Sequence, residues 1–172
     1  METLSKIFCI LLAIVVMFLF PVQYMASKQD SINQVYVYDT TNQLINDIAN
    51  KGYLSLDMYE RYLQKLSTTG NVYEINMTHT HEVINPKYDV DGNAIDGEYL
   101  IYDECVYEDD ILDEIFEGSG TYYLTRGDYI SMELYNTNKT LATRLYHYIL
   151  HTEESMVQIY VTCGGMIRDE NY

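Results

Sequence analysis

LSKIFCILLAIVVMFLFPVQYMA, residues 4–26, decides how the rest of this chain is read. No polar side chain stands between Ile7 and Phe20, and Ser5, Lys6 and Gln23 are the strong polar interruptions of the whole segment. A hydrocarbon core about 30 Å thick takes roughly 20 apolar helical residues. Leu, Ile, Phe and Val each favour insertion by about 0.3–0.6 kcal/mol near the bilayer centre. Together they outweigh one Lys at the edge, whose ammonium can snorkel to the headgroups. The segment is expected to enter a membrane.

A secretory signal is cut where small residues stand first and third before the cut. Cutting after Ala26 puts Tyr24 in the third place, and cutting after Ser27 puts Met25 there. Retention as a single transmembrane anchor, residues 1–27, is therefore the expectation, with cleavage as the alternative. Cys9 lies inside the apolar run and is no lipoprotein cysteine. Lys6 and the terminal amine precede the segment and Lys28 follows it, so the basic bias is small. A large acidic remainder is exportable whatever its charge. The expected location is the cell membrane, single-pass, with the N-terminus cytoplasmic and residues 28–172 forming an extracytoplasmic domain.

Asp and Glu total 26 against 10 Lys and Arg, a net charge of −16. Such a surface repels phosphate backbones, which argues against a nucleic-acid partner. Disorder is not expected, because 48% of residues are hydrophobic and 19 are Tyr. Tyr without Trp suits sheet faces and subunit contacts, where one end of the ring is apolar and the other hydrogen-bonds. Two of the three cysteines, Cys105 and Cys163, fall in the exported part. In an oxidising compartment they are a disulfide candidate, and two buried free thiols are the alternative.

From Lys28 to Lys51 there is neither Pro nor Gly. Ile32, Val35, Leu44, Ile45 and Ile48 share one helical face, and Gly52 stands where a left-handed cap belongs. One helix from the membrane to about Lys51 is predicted, with a strand at Gln34–Tyr38 as the competing reading. Ser55 caps a second helix, Leu56–Ser67, with Tyr59, Tyr62, Leu63 and Leu66 inward. From Val72 to Ile84 the period becomes two, with Tyr73, Ile75, Met77, His79, His81 and Val83 on one face. Asn85-Pro86 should end this strand, and an acidic loop leads to a second strand at Tyr99–Tyr107. Asp109–Glu117 reads as a short acidic helix, and Thr121–Tyr135 as strand on either side of a turn at Arg126-Gly127-Asp128. A helix from Asn138 or Thr140 to about His151, with Leu141, Leu145, Tyr148 and Ile149 inward, precedes a last alternating run, Met156–Cys163. The class is α+β: an N-terminal transmembrane helix continuing outward, then a small antiparallel sheet domain with two or three helices.

No catalytic constellation survives: there is no nucleophile elbow, no glycine-rich phosphate loop and no supported Cys–His arrangement. A non-catalytic protein without a cofactor is expected. His79 and His81 put two imidazoles on one strand face, a spacing found in zinc and copper sites, but a third ligand is missing. His147 and His151 form a second pair at helical spacing. Asp89, Asp91 and Asn93 match the first three oxygen positions of a calcium loop. Ala94 then replaces the turn glycine and Leu100 the bidentate carboxylate, and the Asp-Gly repeats suit a hairpin turn equally well. No metal site is assigned; these five residues, His79, His81, Asp89, Asp91 and Asn93, are the candidates. Arg126-Gly127-Asp128 spells an adhesion tripeptide that recurs by chance. Asn76-Met77-Thr78 and Asn138-Lys139-Thr140 are glycosylation sequons, with meaning only in a eukaryotic host.

An apolar N-terminal helix continued outward and packed by its outer half on a small sheet domain is the pilin plan. With Asn50-Lys51-Gly52-Tyr53, the Leu56–Leu66 helix and Gly70-Asn71-Val72-Tyr73-Glu74-Ile75 following in order, the layout of residues 4–77 resembles the TadE-like minor pilins and pilin-like membrane proteins of tight-adherence (Tad-type) loci, in particular their Gram-positive relatives. The resemblance implies a structural role in a surface pilus or secretion apparatus, with partners met through the N-terminal helix inside the membrane. Prepilin peptidase cuts after a small residue ahead of the apolar stretch, with Glu five residues on. Met1-Glu2-Thr3-Leu4-Ser5-Lys6 has neither feature, so the chain is expected to act uncleaved, as an assembly or anchoring component. The alternative function is a membrane-tethered extracellular binding domain, holding a cation or ligand at the acidic loop or the histidine strand.

Overall fold

A computed structural model describes residues 2–89, 93–150 and 159–168. The first element is one continuous helix, α1, Glu2–Lys51, with Pro21 inside it. It ends where the sequence places the cap: Gly52 has φ +74° and its amide donates to the Ile48 carbonyl at 2.8 Å. Gln34–Tyr38 is helical, not a strand. Those residues form the middle of α1, and Val37 is fully buried against the domain, so packing holds a β-branched stretch in helical form.

A short strand β1 (Tyr53–Ser55) leads into α2 (Leu56–Ser67), whose first turn is capped by Ser55 Oγ accepting from the Met58 amide. The long hairpin follows, β2 (Tyr73–Tyr88) and β3 (Ala94–Tyr107), then α3 (Glu108–Phe116), β4 (Thr121–Tyr123), β5 (Tyr129–Asn136), α4 (Leu141–Leu150) and β6 (Tyr160–Met166). The main sheet runs β3-β2-β5-β6, antiparallel throughout, and β1 pairs with β4 in a separate two-stranded ribbon. The fold is α+β, as its alternating patterns predict.

Ile75 and Met77 of β2, Ile130, Met132 and Leu134 of β5, and Val161 and Cys163 of β6 line the inner sheet face. Against them lie Val37, Leu44, Ile45, Ile48 and Ala49 of α1, with Tyr59, Tyr62 and Leu66 of α2 and Ile111 and Ile115 of α3 in the same cluster. The opposite face carries Glu74, Asn76 and Glu133 and is wet. An antiparallel sheet with one face covered by helices explains the alternation along β2 and β5.

Several boundaries differ from expectation. Pro86 does not end β2, which runs on to Tyr88. The ladder is irregular between Pro86 and Tyr88, a place where a residue lacking its N–H is tolerated. The two strands within 121–135 belong to different sheets, because Leu124 and its neighbours fold back on the end of α1: the Leu124 amide donates to the Gly52 carbonyl at 2.8 Å. Tyr148, expected inward, is 78% exposed, and Leu63 and Phe116 also face solvent. The first part of the expected run Met156–Cys163 lies outside the described residues, as does His151.

Candidate functional site

Two features invite a functional reading: the surface of α1 and a polar cluster beside the sheet. Along α1 the environment changes sharply. Large apolar side chains from Leu4 to Met25 stand exposed, and Thr3–Lys51 is a helix long and apolar enough to cross a membrane. From Ala26 onward one face is buried, through Ala26, Asp30, Asn33, Val37, Thr41, Leu44, Ile45, Ile48 and Ala49. These positions recur three or four residues apart, one stripe of a helix. Ile32 and Val35, placed on the buried stripe by sequence, point the other way and are exposed.

The misplacement has a chemical cause: the upper part of the true stripe is polar. Asp30 Oδ2 accepts from Thr140 Oγ1 at 2.6 Å, which ties α1 to the residue just before α4. Asn33 Oδ1 accepts from Gln29 at 3.0 Å, and Thr41 Oγ1 donates to the Val37 carbonyl while meeting the Tyr62 hydroxyl at 3.0 Å. Burial pushes the Tyr62 hydroxyl pKa well up, so it stays protonated. Each buried polar group named here has a partner, as interior packing requires. On the exposed side, Ile32, Val35, Tyr36 and Tyr38 line a shallow apolar groove bordered by Lys28 and Asp39.

The polar cluster gathers residues far apart in sequence. His79 and His81, two residues apart on β2, both face Asp128, which sits just before β5. His79 Nε2 lies 2.9 Å from Asp128 Oδ2 and its Nδ1 2.7 Å from the Tyr122 hydroxyl; His81 Nδ1 lies 2.5 Å from Asp128 Oδ1. The Thr125 amide also donates to Asp128 Oδ2, at 2.7 Å. Gly127, at φ +100°, makes the turn that swings Asp128 inward. Asp128 is 3% exposed, so Arg126-Gly127-Asp128 cannot present its carboxylate to an adhesion partner.

Asp128 raises the His81 pKa through their hydrogen bond, with Glu104 adding to it and desolvation opposing it. Burial, with help from Asp128 and Asp110, pushes the Tyr122 hydroxyl up to about 12. A hydroxyl so reluctant to ionise is a poor nucleophile. Both nitrogens of His79 and both oxygens of Asp128 already have partners within the chain. The cluster is a brace between β2 and the turn before β5, with His79 and Asp128 buried and the His81 ring partly exposed.

The remaining candidates do not converge. Asp89 and Asn93 close the hairpin turn: the Asn93 amide donates to Asp89 Oδ1 and the Asp89 amide to the Asn93 carbonyl, both at 2.9 Å. Asp91 lies outside the described residues. Among the described residues, no group of three or more His, Cys, Asp or Glu is arranged to hold a metal ion.

Cys105 and Cys163 are free, as in the alternative to the candidate disulfide, although only Cys163 is buried. Cys105 sits on β3 and Cys163 on β6, the two outer strands of the sheet. They are roughly 14 Å apart at three inter-strand spacings, about twice the reach of a disulfide. Cys163 pairs with buried Met132 and Cys105 with Thr80 on the opposite face, so their side chains also point apart. Sequence reasoning found His79 and His81 but missed Asp128 and Tyr122. The signal was available in Asp128, an acid directly after a turn glycine and directly before a strand.

Comparison with known proteins returns no match: no family model, no curated protein and no solved structure.

Proposed function

We propose that this chain is a non-catalytic, single-pass membrane protein of pilin-like build, a structural or assembly component of a surface pilus or secretion apparatus. In this reading its N-terminus is cytoplasmic and its sheet domain extracytoplasmic. One observation carries it: α1 runs from Glu2 to Lys51 as a single element, bare and apolar in its first half and the buried spine of the domain in its second. A plain tether needs only to span, and a flexible linker would serve it. A rigid continuation fixes the domain's orientation to the membrane segment, which an assembly of many copies or neighbours requires.

Retention of the segment has support of its own. Ala26 is buried, and Gln23 Nε2 donates to the Ala142 carbonyl. Signal cleavage after Ala26 or Ser27 would remove Gln23 and with it this contact to α4. The alternative, a tethered cation- or ligand-binding domain, has less support, because both nitrogens of His79 and both oxygens of Asp128 already have partners within the chain.

The exposed strip of Ile32, Val35, Tyr36 and Tyr38 continues the apolar surface of the span outward and is the natural contact for neighbouring components. Val35→Asp in the full-length protein tests this. Val35 is 68% exposed, so folding and membrane fractionation should not change. Cross-linking to other membrane-envelope proteins through a cysteine placed at Ile32 should be lost. Wild-type protein that cross-links to nothing, or a Val35→Asp variant that cross-links as before, would refute the assembly role.

A further inference from the structure

The β2–β3 hairpin is longer than the sheet that carries it. β5 pairs with β2 only from Tyr73 to Thr80, whereas β3 follows β2 as far as Tyr88. Residues 81–88 and 94–104 therefore project as a two-stranded arm. A lone hairpin is marginally stable in water, and exposed flat edges usually carry devices against pairing. This arm exposes four successive large residues at the centre of β3, Tyr99, Leu100, Ile101 and Tyr102, with Ile84 directly across from Ile101. Among the described residues no strand pairs with the outer edge of β3.

The charges around this run define what can cover it. Asp96 and Glu98 precede it and Asp103 and Glu104 follow it; Lys87, bound to Glu98 at 2.8 Å, is the arm's basic residue. Asp103 stands directly opposite Glu82 across the ladder, a like-charge pair that costs stability. A second copy fits badly. Antiparallel self-pairing centred on Leu100 sets Asp96 against Glu104, centring on Ile101 sets Glu98 against Glu104, and centring between them sets Glu98 against Asp103. Symmetry repeats each clash. The carboxylates that keep copies apart would welcome a partner of opposite sign.

We infer that the outer edge of β3 is a strand-addition site for an extended segment of another protein, one with a short apolar run flanked by Lys or Arg. The backbone edge supplies hydrogen bonds, and Tyr99 to Tyr102 supply apolar contact on both faces. Asp103 and Glu104, with Glu82 beside them, select basic flanks. The inference stands whether or not α1 assembles with neighbours.

Full-length protein in detergent micelles, panned against a library of random linear peptides, tests it. Enriched peptides should carry an apolar run between basic residues. Their affinity should fall about tenfold for the double variant Asp103→Asn/Glu104→Gln, and fall again when alternate peptide amides are N-methylated. The charge variant leaves the apolar run and the ladder intact, so loss of folding does not obscure the result. No enrichment, enrichment without basic flanks, or equal binding by the double variant would overturn the proposal. A wild-type dimer in sedimentation that dissociates on Ile101→Lys would also overturn it, in favour of a second copy.

Discussion

Asp128 accepts hydrogen bonds from three directions, and its backbone does further work: its carbonyl accepts from the Ile167 amide at 2.8 Å, next to the Gly127 amide on the Ile167 carbonyl. The turn thereby pins the chain just after β6. His81 joins this brace most strongly when protonated, because its folded pKa lies above the ordinary 6.5. The stabilisation it adds is thus fully present below that ordinary value and fades as pH rises through the raised one. Thermal unfolding of wild type and His81→Gln across a pH series should show the largest gap in mild acid, closing toward alkaline pH. A gap that widens with pH would refute the assignment. The thiols give a second test at this scale. Cys105 is exposed, while Cys163 is buried and its pKa raised by desolvation. In a Cys9→Ser background, maleimide should modify one thiol in the folded protein and a second only on denaturation. Protection of both before and after denaturation would restore the disulfide.

At the scale of elements, α1 and β6 meet along a close seam. A Cβ built on Gly165 would lie 3.0 Å from Ile45 Cγ2, so the glycine allows the helix to sit directly on the strand. The Arg168 amide donates to the Ala49 carbonyl at 2.7 Å and locks the end of that seam. Ile45 is 1% exposed. Ile45→Asp, an unpaired charge in this contact, should cost at least about 3 kcal/mol, whereas Val35→Asp on the opposite side of α1 should cost almost nothing. Urea unfolding of the two variants measures the difference, and equal midpoints would refute this packing. Much of the helix was legible here. Absence of Pro and Gly between Lys28 and Lys51, and Gly52 at the cap, set its limits. Which face it buries was not legible, because Asp30, Asn33, Thr40 and Thr41 occupy buried positions that a search for apolar residues passes over.

For the whole molecule, the join between apolar segment and domain matters most. Ala26 and Gln23 belong to the segment by sequence, yet Ala26 is buried and the Gln23 side chain donates to the Ala142 carbonyl of α4. A protein that keeps this contact should be extracted from membranes at its full mass of 20.1 kDa, resisting alkaline carbonate. A mature form beginning near Ser27 would be shorter by the whole apolar segment, and mass spectrometry separates the two outcomes.

Local chemistry carried the class of the fold. The apolar length of residues 4–26, the period of two along β2 and β5, Ser55 and Gly52 at helix ends, and the acidic composition are properties of neighbouring residues, and they were readable from the chain. Pairings between distant residues were not. That β4 joins β1 instead of β5, that Cys105 and Cys163 fall on opposite edges and opposite faces, and that Asp128 closes over His79 and His81 all depend on strand order. Strand order follows from which surfaces can be buried together, a free energy summed over the whole core. The length of the apolar segment and the rhythm of the elements are set by residues near one another in the chain; burial of the sheet against α1 decided which side chains meet.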